Sequence, residues 1–292
     1  MIVMKKLGIL LILCLSASFL SAQYQSLCWK ISGNKLKKDS YLYGTFHIKN
    51  EKAFQLKPNA QKAFDDARLV AIELNPEKTL PLSLFASFLD SEISIKKLIS
   101  DSNYVLLDSI FKKNMHMSVR VFDNAKPILL SFILDEFKTK PNDSAVYKTE
   151  FLDLFLFHQA QKQKKKAIGL ETVDEQLNAL NVLSLTEQTT MLEKSIAAFR
   201  IDSISNDFDA MLDYYLKGDL DGILTMEGVQ NMNPILYKSL VTDRNKIMAE
   251  RIPALIKKKA SFIAVGALHL PGEDGVITLL RKAGYTVVAM PN

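Results

Sequence analysis

The sequence predicts an α/β fold with a mostly parallel central sheet, built from β-α-β units, and a large helical insertion. Near both ends of the chain, short apolar runs typical of buried strands alternate with helical patterns. Between about residues 80 and 240, apolar residues instead recur at three- and four-residue intervals, which is the period of a helix. We therefore expect residues 23–292 to form a single domain that contains this insertion.

The first β-α-β unit is predicted near the beginning of the chain. The aromatic-rich run "DSYLYGTFHI" (39–48) is typical of a strand that ends near Thr45. A helix is expected over 57–67 and an apolar strand over 68–76. Because a β-α-β connection joins parallel strands, these two strands should be parallel and near one another in the sheet.

The central segment contains three patterns typical of amphipathic helices, at 83–99, 103–114 and 127–137. Within the same segment, "KKAIGLETVDEQLNAL" (165–180) begins with a short apolar run and continues with a helical pattern. This stretch predicts a further strand that leads directly into a helix.

The end of the chain returns to alternating elements. A helix is predicted over 244–259, broken or kinked at Pro253, and "SFIAVG" (261–266) is typical of a buried strand. A helix over 274–284 and a final strand over 285–290 follow.

The first 22 residues have the layout of a secretory signal peptide. Lys5 and Lys6 precede about a dozen apolar residues, and small residues end the run at Ser21 and Ala22. Cleavage before Gln23 would send the protein to the periplasm or to the cell exterior. An uncleaved membrane anchor is the alternative, although the apolar run is short for a span.

The rest of the chain has the composition of an ordinary globular protein, with 48% hydrophobic and 24% charged residues overall. Loss of the two leader lysines would lower the net charge from +5 to +3, which gives no reason to expect nucleic acid as a partner. No second apolar run is long enough to cross a membrane. Of the two cysteines, Cys14 lies in the leader, so Cys28 would have no partner for an internal disulfide after cleavage. We expect Cys28 to pack as a small hydrophobic residue.

Two of the four histidines share one sequence frame. His47 ends the motif "GTFH" (44–47) and His269 ends "GALH" (266–269), and each motif follows an apolar strand. In an open parallel sheet, ligands bind beyond the carboxyl ends of the strands. The two histidines can therefore converge at one site, although 222 positions separate them.

Two glutamates lie within or directly after apolar runs that are typical of strands. Glu73 lies within "LVAIEL", where an unpaired buried carboxylate would be costly. A histidine or a cation would remove this cost, and a salt bridge to a helix arginine is the alternative. Glu171, in "GLET", is expected either to join the site or to stabilise the N-terminus of the next helix.

Two histidines and a carboxylate are a common ligand set for a divalent metal with open positions for water. We expect His47, His269 and Glu73 to bind a divalent transition metal such as manganese, cobalt or zinc. Glu73 is expected to act either as a third ligand or as the general base.

Arg244 and Asn245, in "VTDRN", are candidates to hold a substrate carboxylate or to stabilise a developing oxyanion. Alternatively, Asp243 and Asn245 of this run cap the helix that follows. Together with Glu73 and Glu171, Arg244 completes the set of candidate catalytic residues.

With these motifs, the sequence resembles the TraB/GumN family, whose relatives include the TIKI proteins. The resemblance covers nearly all of the chain after the leader, and the segments that carry it are "LCWKISGN", "SYLYGTFHI", "AIEL", "FLDLFLFHQA", "IGLET", "DRNKIMAERI" and "FIAVGALHLPGEDGVITLLRKAGYTV". It implies a hydrolase-like α/β fold shared with erythromycin-esterase-like and ChaN-like proteins. It also implies a metal-dependent protease that acts outside the cytoplasm, with His47, Glu73 and His269 at the centre of its site.

Three hypotheses about function follow. The first is a secreted metal-dependent hydrolase, favoured as a peptidase, although a small-molecule substrate is also open. The second is a metal-independent esterase in which a histidine acts as general base and Glu73 orients it. The third is a haem- or metal-binding protein without catalysis, which the ChaN-like relatives and the leader suggest.

Overall fold

The computed structural model describes residues 24–46, 51–78, 86–138, 151–199 and 204–291 of the chain. Within these ranges, strands form a six-stranded sheet, and their bounds are β1 Cys28–Gly33, β2 Ser40–Thr45, β3 Leu69–Leu74, β4 Lys166–Glu171, β5 Ser261–Gly266 and β6 Tyr285–Ala289. The predicted leader and His47 lie outside the described residues.

Helices surround this sheet. The α-helices of the described ranges are α1 Pro58–Asp66, α2 Ile95–Leu98, α3 Asp101–Met115, α4 Pro127–Lys138, α5 Leu152–Lys162, α6 Val173–Leu180, α7 Leu185–Ala198, α8 Ile204–Lys217, α9 Leu220–Thr225, α10 Glu227–Gln230, α11 Pro234–Tyr237, α12 Arg244–Ile256 and α13 Val276–Lys282. Short 3-10 helices cover Glu51–Phe54, Pro76–Lys78, Val119–Phe122 and Ala267–His269, and a π-helix covers Lys238–Asp243.

The order of the strands in the sheet is β4-β3-β5-β2-β1-β6. The first four strands in this order are mutually parallel, whereas β1 runs antiparallel to both of its neighbours. The predicted α/β fold with a mostly parallel sheet is therefore confirmed. The strands of the first β-α-β unit, β2 and β3, are parallel but not adjacent, because β5 lies between them.

The main hydrophobic core explains why the sequences of the central strands are almost continuously apolar. Residues of β3 and β5 are buried on both faces of the sheet, as expected of strands covered by helices on both sides. Buried side chains of α1, α5, α12 and α13 pack against them. A separate hydrophobic cluster joins α3, α4 and α7 within the helical segment.

The helix predicted over 83–99 is wrong for most of its described part, because residues 87–94 are not helical and lie between the helical Ala86 and Ile95–Leu98. The backbone before Ile95 forms hydrogen bonds with a distant turn. The N–H of Asp90 donates to the carbonyl of Asn124, and Leu89 forms a β-bridge with Ala125. These bonds give the segment an alternative to the helical hydrogen bonds.

The other helical patterns form the helices that they predict. The 103–114 and 127–137 patterns correspond to α3 and α4, and 165–180 forms β4 followed by α6. Helix α12 is not broken at Pro253 but continues to Ile256.

Cys28 is buried in the main core, as expected for a packed hydrophobic residue. Burial raises the pKa of its thiol to about 12, although a hydrogen bond from the backbone of Trp29 acts in the opposite direction. Across the described residues, no helix is both long enough and apolar enough to span a membrane.

Candidate active site

Four neighbouring parallel strands end along one edge of the sheet. In sheet order, this edge carries Glu171 of β4, Glu73 of β3, Gly266 of β5 and Thr45 of β2. Thr45 and Gly266 are paired across β2 and β5, so the two Gly-x-x-His frames begin side by side. The structure therefore brings the predicted strand-end residues to one place, as expected for an open parallel sheet.

Arg244, the first residue of α12, joins the two glutamates. Its Nη2 donates to Glu73 Oε2 at 2.6 Å and to Glu171 Oε2 at 2.7 Å, and its Nε donates to Glu171 Oε1 at 3.0 Å. The salt bridge between Glu73 and a helix arginine, one of the two sequence-based alternatives, is therefore present. It coexists with the approach of Glu73 to a histidine described below.

The ion cluster of Arg244, Glu73 and Glu171 is almost fully excluded from solvent. The side chains of Glu171, Glu73 and Arg244 are 0%, 8% and 12% exposed. Burial alone would lower the pKa of Arg244, but the hydrogen bonds and negative charges of both glutamates outweigh burial and raise it. Two carboxylates and one guanidinium leave one net negative charge in the cluster, which favours a cation beside it.

Glu171 belongs to this cluster and also contacts the helix that follows it, without capping that helix. The N-terminus of α6 is capped by Thr172, which forms a capping box with Glu175. Glu171 instead ends β4 and accepts from Arg244 and from Gln176 Nε2. Glu171 directly precedes the cap residue Thr172, so the alternative that it stabilises the helix N-terminus through the dipole stays a prediction beside its place in the cluster.

The second oxygen of Glu73 is held by the backbone. The N–H of Gly266 donates to Glu73 Oε1 at 2.6 Å. A Cβ at Gly266 would lie 3.2 Å from this oxygen and 3.4 Å from His269 Cδ2, so the glycine permits the close approach. In the other frame, a Cβ at Gly44 would lie 3.2 Å from the Cα of Ala267, so both glycines occupy crowded positions.

His269 lies next to Glu73 in the 3-10 turn after β5. Its Nε2 is 3.7 Å from Glu73 Oε1, and its Nδ1 is 2.7 Å from Asn245 Oδ1. The amide nitrogen of Asn245 donates to the carbonyl of Asp274, which fixes the amide so that its oxygen faces the imidazole. The proton of a neutral His269 is therefore on Nδ1, and Nε2 is the acceptor that faces Glu73.

Asn245 is a site residue that the sequence analysis treated only as a candidate cap or substrate contact. It is 1% exposed, and neither it nor Asp243 caps α12 with its side chain. The capping interpretation of this run is therefore wrong. Arg244 and Asn245 are adjacent, yet one binds the glutamates and the other binds His269. The π-helix that directly precedes them is a feature often found at functional sites.

The chemistry of the donors fits a divalent transition metal. His269 Nε2 and Glu73 Oε1 are too far apart for a direct hydrogen bond, yet close enough for both to contact one cation. Imidazole nitrogen and carboxylate oxygen are ligands that zinc and similar metals accept. Among the described residues, which exclude His47, no group of three or more His, Cys, Asp or Glu side chains is arranged to hold a metal.

A cavity of about 470 Å³ opens beside the cluster, within the usual range for ligand sites. Glu73, Arg244 and His269 line one end of it, whereas most of the remaining wall is apolar. Glu171 does not line this cavity, which places it behind Arg244. A ligand in the cavity can therefore contact Glu73 and Arg244 of the cluster, but not Glu171.

Comparisons with known proteins identify similar sequences. The sequence model of the TraB/PrgY/gumN family matches residues 27–289. "Metalloprotease TIKI1" of Danio rerio is 23% identical over 312 residues, which cover 88% of this chain and 62% of that protein. "Metalloprotease TIKI2" of Xenopus tropicalis is 24% identical over 305 residues, with 86% and 58% covered. "Metalloprotease TIKI homolog" of Nematostella vectensis is 23% identical over 319 residues, with 90% and 67% covered.

The chain spans about 60% of the length of the first two of these curated relatives. No solved structure matches the chain.

Proposed function

The chain belongs to the TraB/PrgY/gumN family, and we propose that it is an exported metal-dependent hydrolase that acts on peptides. One observation carries the proposal: His269 Nε2 faces the buried carboxylate of Glu73 at 3.7 Å, beside a cavity. The relatives named as metalloproteases support the same reaction class. The leader pattern of residues 1–22 supports export.

We propose His47, His269 and Glu73 as the residues that would hold manganese, cobalt or zinc. When bound, such a metal polarises a carbonyl group and makes hydroxide available near neutral pH. Asn245 orients the imidazole so that Nε2 faces the metal position, which is the usual role of a residue that binds the other ring nitrogen.

Glu73 is better suited to be a ligand than a general base. Its Oε2 accepts from Arg244 and its Oε1 accepts from Gly266, and both donors stabilise the ionised form. A carboxylate held in this way gives up hydrogen bonds when it takes a proton. It keeps them when it binds a cation through a remaining lone pair.

Arg244 is mainly a positioning residue. Of its five N–H groups, the one on Nε and both on Nη2 serve the glutamates, and one on Nη1 donates to the carbonyl of Leu240. The second N–H group on Nη1 of Arg244 is the one of the five that has no acceptor among the described residues. Arg244 can therefore give at most one hydrogen bond to a substrate while it keeps Glu73 in place.

A metal-free esterase is the second candidate, and one observation favours it. Asn245 holds His269 with the proton on Nδ1, so Nε2 could act as a general base without a metal. Retention of full hydrolysis in the presence of a strong chelator would favour this candidate over the metal enzyme.

The first test is the metal content of the protein purified from the periplasmic fraction without a chelator. We expect about one transition-metal ion per chain, lost in both His47→Ala and His269→Ala. His116→Asn is the matched control, since it replaces an exposed histidine at the end of α3 with a residue that tolerates the same left-handed backbone. The intact mass of the same sample shows whether residues 1–22 have been removed.

Absence of metal after loading with manganese, cobalt and zinc in turn would reject the metal-dependent mechanism. A chain that stays in the cytoplasm with its leader intact would reject export.

A further inference from the structure

The wall of the cavity beside His269 is built for an apolar group. Beyond the polar end formed by the site residues, its wall includes Met211, Ile223, Met226, Val229, Met232 and Leu268. Such a wall cannot satisfy a charged or strongly polar side chain, whose burial would be costly.

Methionine is unusually frequent in this wall. Three of the ten methionines of the chain, Met211, Met226 and Met232, line the cavity, and each is only partly buried. Methionine side chains are flexible and polarizable, and they adapt to ligands of different shapes. The wall therefore suits a long apolar side chain without demanding one particular residue.

A second cavity of about 410 Å³ adjoins the first. Gly228 and Met232 line both cavities, so the two meet at these residues. The second cavity is more polar than the first, since Asp135, Thr190 and Asn231 contribute to its wall. A ligand that occupies both cavities needs an apolar group near His269 and a mixture of apolar and polar groups further along.

Gly228 is placed at the junction for no evident packing reason. A Cβ at this position would meet no atom within 4 Å, and its backbone is helical, with φ outside the left-handed region. Any other residue would therefore fit the backbone, and its side chain would project into open space. The absence of a side chain leaves the passage between the cavities open.

We propose that the substrate is an extended peptide that inserts one long apolar side chain beside His269 and continues past Gly228 into the second cavity. The wall of the second cavity is mixed, with apolar side chains such as Leu183 and Leu236 beside the polar Thr190 and Asn231. A peptide, which alternates N–H and C=O groups with side chains, suits such a wall better than an acyl chain, which offers no hydrogen bonds to its polar part. The inference rests on the proposed function, because it assigns the substrate class of the same site.

Binding of short fluorescein-labelled, alanine-based peptides tests the inference without catalysis. Fluorescence anisotropy is measured with wild-type protein in the presence of a chelator. We expect a peptide with a central methionine or leucine to bind about 10- to 100-fold more tightly than one with a central aspartate, from burial of one apolar side chain. Equal affinities for these peptides would overturn the inference.

Two variants test the junction and the first cavity separately. Gly228→Phe fills the junction, and we expect it to weaken binding of the methionine peptide by about 10-fold or more. Met226→Glu places a carboxylate in the apolar wall, and we expect the preferred central residue to change from methionine to lysine. The control is Ile235→Phe, which enlarges a 54% exposed side chain on α11 that lines neither cavity.

The outcomes separate this inference from the proposed function. Metal-dependent hydrolysis without any preference at the central residue would overturn the inference and leave the function in place. Selective binding that Gly228→Phe removes, without hydrolysis under any metal loading, would support the peptide site and overturn the hydrolase. Unchanged binding in folded Gly228→Phe would overturn the predicted path of the peptide.

Discussion

His269 is held by a neutral amide, whereas Glu73 is held by a charged guanidinium. The bond to Asn245 directs the imidazole without adding charge, whereas the bond to Arg244 places a positive charge against the carboxylate. Each of these partners belongs to α12, so one helix start positions both groups of the site. Its two leading residues therefore control the orientation and the charge of the site.

Asn245→Ala removes the acceptor that fixes His269. We expect metal affinity to fall about 10- to 100-fold, because residues that orient a metal ligand commonly have effects of this size. Competition with a chromophoric chelator measures the affinity.

Asn114→Ala is the control for this variant. Asn114 donates to the carbonyl of Ile110 within α3, outside the strand edge, and its loss should leave the affinity unchanged. A wild-type affinity in folded Asn245→Ala would show that Asn245 does not orient His269.

Sequence reasoning found Glu73, His269 and Arg244 as site candidates, because each stands out against its local pattern. Glu73 interrupts an apolar run, and His269 follows one in a repeated frame. The partnership of Asn245 with His269 could not be predicted in the same way, since an asparagine near a helix start is usually explained as a cap. Its role is visible only when α12 and the turn after β5 are placed together.

At the scale of elements, the contact between β4 and β3 fixes the position of Glu171. Gly169 lies opposite Ile72 in the register of this pair. A Cβ at Gly169 would lie 2.5 Å from the backbone nitrogen of Asn75, which is closer than side chains tolerate. The glycine therefore allows the end of β4 to approach the chain that leaves β3.

Gly169→Ala should force these two segments apart and move Glu171 away from Arg244. We expect the free energy of unfolding to fall by about 1–3 kcal/mol, the usual cost of overpacking. Denaturant-induced unfolding measures the change. Gly228→Ala is the matched control, since its Cβ meets open space and should leave stability unchanged or raise it by up to about 1 kcal/mol.

Strands with a strong local pattern could be predicted from the sequence, whereas the order in which strands pair in the sheet could not. The apolar runs of β3 and β5 identify buried strands by composition alone. Strand β1 was not predicted, and its role depends on antiparallel pairing with β2 and β6, which lie on either side of it. The position of β5 between β2 and β3 likewise depends on contacts between residues far apart in the sequence, which a short stretch of sequence does not reveal.

At the scale of the whole molecule, two carboxylates in different regions should make stability depend on acid pH. A hydrogen bond from Arg251 lowers the pKa of Glu175 from 4.5 to about 2, and hydrogen bonds from Lys112 and Ser118 lower that of Asp108 from 3.8 to about 2. A lowered folded-state pKa stabilises the protein above the unfolded-state value, and the contribution is lost as pH falls towards the folded-state value.

We therefore expect the melting temperature to fall as the pH decreases from about 4.5 to 2. Each carboxylate should contribute about 1 kcal/mol or less, because both contact solvent. Thermal unfolding followed by circular dichroism across this range measures the effect. Glu175→Gln should show a shallower decrease, and an identical pH profile in this variant would contradict the assignment.

The position of β5 in the sheet has a consequence for the order of assembly. This strand separates β2 from β3, yet it is synthesised long after both of them. The pairs β1–β2 and β3–β4 can form earlier, but a nascent chain cannot join them into one sheet until residue 266 has left the ribosome. The edge that carries both Glu73 and Gly266 therefore comes into existence only after nearly the whole chain has been synthesised.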